Sequence, residues 1–119
     1  MSEAAPQVTE QLSAEEAVRA EIVRMLRTVF DPEIPVNIYD MGLIYGIDLT
    51  PVENGAYDAH IRMTLTSPNC PAAAELPANV QAVTGTVEQV AKASVDIVWD
   101  PPWSRAMMSE EATLSLGFF

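Results

Sequence analysis

The group best suited to chemistry in this chain is a sulfur. Cys70 is the one cysteine among 119 residues, and it sits in Ser67-Pro-Asn-Cys-Pro71, between a stretch patterned as strand and one patterned as helix. Pro71 suits the first position of a helix, where its missing N–H costs nothing, so Cys70 is expected at or beside the N-cap. There, unpaired backbone N–H groups and the positive end of the helix dipole favour thiolate, the form of sulfur that binds metals and attacks electrophiles. Pro68 stiffens the approach, and Asn69 takes a left-handed turn at little cost. A lone cysteine is equally at home as a small buried hydrophobe, and both readings stand.

Other candidate groups are scattered. Asp31, Glu33 and Asp40 fall in Asp31-Pro-Glu-Ile-Pro-Val-Asn-Ile-Tyr-Asp-Met-Gly42. They could tune a site or hold a metal, while acidic residues in a Pro-Gly loop serve equally as turn formers. His60 is a weak candidate as base for Cys70, because the six residues from His60 to Thr66 span roughly 20 Å of strand. It is expected to face solvent and pair across a hairpin with a residue such as Asp48. Trp99 is expected to plug the end of a sheet. Trp103, just beyond Pro101-Pro102, is the better candidate for a partner contact.

The elements that must position these groups follow from the apolar pattern. Residues 1–12 carry no apolar period and read as a flexible tail, with 13–119 as a single domain. Ser13-Ala-Glu-Glu16 has the form of a capping box. Val18, Ile22, Met25, Leu26 and Val29 follow at helical spacing and predict a helix over 14–29, which Pro32 ends. A strand over 43–50 sets Leu43, Tyr45, Ile47 and Leu49 on one face. Asn54-Gly55 marks a hairpin turn. The next strand, 57–66, alternates Ala59, Ile61, Met63 and Leu65 against Asp58, His60, Arg62 and Thr64, one face buried and one wet.

Leu76, Val80, Val83, Val87 and Val90 predict a second helix after Cys70, kinked or restarted at Pro77. A third strand over 95–99 is closed by Asp100-Pro-Pro-Trp103. Ser109 then caps a short last helix that Gly117 stops. The order α-β-β-α-β-α predicts an α/β protein of two-layer α+β type, a small mixed three-stranded sheet with helices on one face. An antiparallel first pair and a parallel crossover bring the loops at 31–42, after 66 and at 99–103 to one rim.

Composition narrows the function classes. Six basic residues against a net charge of −11 argue against a nucleic-acid partner; the acidity suits a basic partner or simple solubility. The longest apolar runs are too short to span a bilayer, so a membrane partner is not expected, and the N-terminus lacks a signal pattern. With one cysteine no internal disulfide forms, which agrees with a cytoplasmic protein.

Four ordered motifs, Asp31-Pro-Glu33, Asp40-Met-Gly-Leu43, Met63-Thr-Leu-Thr-Ser-Pro-Asn-Cys-Pro71 and Trp99-Asp-Pro-Pro-Trp103, resemble the SufT/PaaD-like family of iron–sulfur cluster assembly factors across residues 14–119. The resemblance implies a small two-layer domain, not an enzyme, that helps mature iron–sulfur proteins. Its partners would be the assembly machinery and client apoproteins. Cys70 matches the family's reactive or cluster-contacting cysteine, and Asp31 and Glu33 its signature loop. Asn69 stands where glycine is usual, the expected end of the second helix lacks a glycine, and the cysteine-rich extension of PaaD proper is missing.

A cluster takes about four protein ligands, mostly thiolates, so one cysteine cannot hold it alone. Cys70 is therefore expected as one exchangeable thiolate for a transient iron–sulfur cluster, the other ligands coming from a homodimer partner, a small thiol or the client. Two further readings remain: a thiol enzyme or redox sensor, and an adaptor that recruits clients through the acidic loop and the tryptophans.

Overall fold

The computed structural model describes residues 6–30, 35–66 and 75–117, with side chains in the first stretch from Ala14 onward. Its elements run in the expected order. Helix α1 (Pro6–Leu26) leads into strands β1 (Ile44–Pro51) and β2 (Tyr57–Met63), followed by α2 (Glu75–Gly85), β3 (Val90–Ile97) and α3 (Glu110–Leu116). The sheet order is β1-β2-β3, antiparallel across the first pair and parallel across the second. This is an α+β fold with a mixed three-stranded sheet.

Binary patterning builds the core. Tyr57, Ala59, Ile61 and Met63 of β2 are buried, while Arg62 between them is exposed. Val18, Ile22 and Leu26 from α1 and Leu76 and Val80 from α2 complete the same cluster. The two helices touch each other, α1 against β1 and α2 against β2 and β3. Each fully buried aliphatic side chain contributes roughly 1.5–3 kcal/mol by leaving water. The opposite face of the sheet stays polar and open, with Asp48, Arg62 and Asp96 exposed along it.

Several boundaries differ from expectation. Helix α1 begins at Pro6 and ends at Leu26, so residues expected in the tail form its first turns and Ser13 lies inside it rather than capping it. The reason is local: Gln7 to Leu12 contain neither glycine nor proline. The predicted second helix stops at Gly85, which supplies the closing glycine that seemed missing. Beyond it Val87 is buried in the turn and Val90 opens β3, because in parallel register Val90 falls opposite Tyr57. Their i, i+3 spacing had imitated a helix. Pro77 lies within α2 as described.

Strand β1 carries a bulge. Ile44 pairs with Met63 and Gly46 with Arg62, leaving Tyr45 without an opposite residue. The extra residue resets the alternation, so Ile44, Ile47 and Leu49 pack toward the core, and Tyr45, expected beside them, is re-aimed. At the ends of the chain's short elements, expectation holds. Ser109 Oγ accepts from the Ala112 N–H at 3.1 Å, and Gly117 closes α3 at φ 79°. Both sheet edges have an outward carbonyl occupied by a helix side chain. Arg19 donates to Ile47 O at 2.5 Å and Gln81 to Ala93 O at 3.0 Å.

Candidate functional site

The described ends of the three loops meet at one rim. The Thr64 N–H donates to Leu43 O and the Val98 N–H to Met63 O, each at 2.8 Å. These two bonds tie the entry to β1, the exit from β2 and the exit from β3 together. Of the predicted site residues, Asp31, Glu33, Asn69 and Cys70 lie outside the described residues, as does the predicted helix start at Pro71. Asp40, Trp99 and Trp103 lie within them.

Asp40 is a turn residue with both carboxylate oxygens engaged. The Asn37 side-chain amide donates to its Oδ2 at 2.8 Å, and Asn37 Oδ1 in return accepts the Asp40 N–H at 2.8 Å. This reciprocal pair has the logic of a capping box, spelled Asn37-Ile-Tyr-Asp40. Arg27 reaches Asp40 Oδ1 at 3.8 Å while its guanidinium lies 5.2 Å from the centre of the Tyr39 ring. The Asp40 carbonyl accepts the Ser109 N–H at 2.8 Å, joining the turn to the cap of α3. Asn37 and Arg27 were missed in the sequence; the Asn-x-x-Asp spacing was the signal available for the first.

The burial of the two tryptophans is the reverse of that expected. Trp103 is the plug: half-buried against the core, it donates its indole N–H to Met41 O at 2.7 Å. Trp99 is 47% exposed. An indole N–H taken from water needs an acceptor, and the Pro101-Pro102 turn returns the chain to one at Met41. Tyr45, freed by its bulge, donates to Pro101 O at 2.6 Å, with Met107 Sδ at 3.4 Å from its hydroxyl. Tyr45, Arg62, Asp100 and Met107 edge an open cleft of about 580 Å³ on this rim.

His60 is held on the sheet. Asp48 is its register neighbour, but its side chain turns to β3 instead, Nδ1 at 2.8 Å from Ser94 Oγ and Nε2 at 3.1 Å from Asp96 Oδ2. Asp48 is taken by Arg62, whose Nε donates to it at 3.0 Å. That hydrogen bond, with the charges of Arg62, His60 and Arg19, holds the Asp48 carboxyl below its ordinary range.

Among the described residues no group of three His, Cys, Asp or Glu side chains could hold a metal ion, and no described helix is long and apolar enough to cross a membrane. What the described rim offers is a rigid frame of pinned turns, an exposed indole and an open cleft.

Residues 19–97 match the family model of an iron–sulfur cluster assembly protein. An Fe-S protein maturation auxiliary factor of Porphyromonas gingivalis is 50% identical over 99 residues, covering 82% of this chain and 90% of that protein. The auxiliary factor YitW of Bacillus subtilis is 41% identical, covering 87% of this chain and 97% of its own. Among solved structures, a DUF59 domain from Bacillus anthracis superimposes with a TM-score of 0.73 at 39% identity, covering 87% of this chain and 95% of that one. The chain belongs to the iron–sulfur cluster assembly protein family.

Proposed function

We propose that this protein is an auxiliary, non-catalytic factor in the maturation of iron–sulfur proteins, and that Cys70 is the exchangeable thiolate through which it handles its cargo. The observation that carries the reading is the family match over residues 19–97, joined to relatives named as maturation auxiliary factors. The donor chemistry fits. The described residues offer no cluster of hard ligands, and a single soft thiolate is suited to passing a cluster on rather than storing it. Cys70 lies in the connection from β2 to α2, and the first residues of that connection are fastened to the rim through Thr64. The remaining ligands come from a second copy of the chain, a small thiol or the client, and the reducing cytoplasm is the compartment that keeps such a thiol available.

The test is anaerobic reconstitution of the purified protein with iron and sulfide, wild type and Cys70→Ser in parallel, reading absorption and iron content. A labile chromophore in the wild type that is lost in Cys70→Ser is expected. No chromophore in either, together with normal maturation of client enzymes in cells carrying Cys70→Ser, would reject the thiolate. It would leave an adaptor, for which the exposed Trp99 is the supporting feature.

A further inference from the structure

A second surface lies beside the rim, between the Pro35–Asp40 turn and α3. It is a groove of about 490 Å³ whose lining includes Phe30, Val36, Asp40, Glu111, Ala112 and Leu114. Val36 and Ala112 form a buried apolar floor, while Phe30 and Leu114 stand 51% and 57% exposed above it. Exposed large apolar residues grouped around one concavity mark an interaction site more than scattered ones do. The lip is acidic: Glu111 lines the groove and Glu110 precedes it, both exposed. Arg27 is committed to Asp40 and the Tyr39 ring, and among the described residues neither Glu110 nor Glu111 has an ion-pair partner.

We infer that this groove docks a short polypeptide segment of a client or assembly protein, an aliphatic or aromatic residue flanked by lysine or arginine. The inference rests on the maturation reading for the identity of the partner, but not on the sulfur chemistry of Cys70. Charge decides among occupants. A second copy of this chain carries the same −11 and is repelled at an acidic lip, as are an anionic bilayer and a nucleic acid. A basic-apolar segment is attracted at long range, covers Phe30 and Leu114 on arrival, and answers Glu110 and Glu111 at the edge, where such pairs govern association rate and specificity.

The experiment measures fluorescence anisotropy of the labelled peptide Lys-Lys-Leu-Leu-Lys-Lys on the full chain, with Lys-Lys-Ser-Ser-Lys-Lys and Glu-Glu-Leu-Leu-Glu-Glu as controls. The first peptide should bind about tenfold or more tightly than either control. The exposed double variant Phe30→Ser/Leu114→Ser should erase its advantage over the serine control, and Glu111→Lys should weaken it about tenfold. Equal binding of the leucine and serine peptides would show attraction by net charge alone and overturn the inference, as would unchanged affinity in both variants. Cys70→Ser should bind the peptide as wild type does. Failure of the groove therefore reads differently from failure of the cluster chemistry, which the chromophore reports.

Discussion

Two glycines with nearly the same backbone sit at opposite ends of the β1–β2 hairpin, Gly42 at φ 82° and Gly55 at φ 74°. Around Gly55 there is open space, and nothing would meet an added Cβ. At Gly42 a Cβ would land on the backbone carbonyl of Met107, which the segment after β3 presses against the turn. One end of the hairpin is a free turn, and the other is a joint at which distant parts of the chain close on each other. The same local conformation is therefore required for two reasons of different reach, one belonging to the residue and one to the fold.

Substitutions should separate those reasons. Gly42→Ala meets both the left-handed backbone penalty and a collision with main chain that cannot swing aside, and should cost about 3 kcal/mol or more. In thermal denaturation that is a fall of roughly 10 °C for a domain of this size. Gly55→Ala meets the backbone penalty alone and should cost about 1 kcal/mol. Equal losses at the two positions would mean that the rim is not the tight joint described.

Gly46 gives the third and smallest case. There the obstacle to a Cβ is the Arg62 guanidinium, the far end of a flexible side chain that pairs with Asp48. Gly46→Ala should displace Arg62 at a cost under about 1 kcal/mol, because the pair is solvent-exposed and screened. Its signature is in pH. The Arg62 hydrogen bond lowers the Asp48 carboxyl in the folded state, so the pair stabilises above the unfolded carboxyl's ordinary value and loses this contribution as pH falls through the lowered one. The stability gap between wild type and Gly46→Ala should be widest near neutral pH and close below the carboxylate range. An NMR titration of Asp48 should show its carboxyl rising toward the ordinary value in the variant.

These contrasts mark what could be read from residue types alone. The alternation of β2 from Tyr57 to Met63, the Asn54-Gly55 turn and the Ser109 and Gly117 caps are local, decided within a few residues, and they stand as expected. The strand itself stops short of 66, and Thr64, expected on the wet face, is buried. The start of β3 was misjudged because Val83, Val87 and Val90 satisfy a helical period, and only pairing with β2 decides otherwise. The relative burial of the tryptophans was reversed because the fate of an indole depends on whether an acceptor comes within reach, and for Trp103 that acceptor is Met41, 62 residues away. His60 was expected to pair with Asp48, yet its partners Ser94 and Asp96 lie on β3, a strand whose register no local pattern announces. Convergence of the strand ends at Leu43, Thr64 and Val98 followed from element order, whereas Gly42 against Met107 required the closed fold.

The unequal setting of the two indoles makes the protein its own optical reporter. Trp103, half-buried with its N–H on a carbonyl, and Trp99, 47% open to water, stand only four residues apart in sequence yet sample different polarity. Light absorbed at the rim is re-emitted from two environments at once, the wetter one at longer wavelength and within reach of a dissolved quencher. A molecule that covers Trp99 should change the longer-wavelength component, so occupancy there can be followed in the unlabelled protein by the colour and quenching of its own emission.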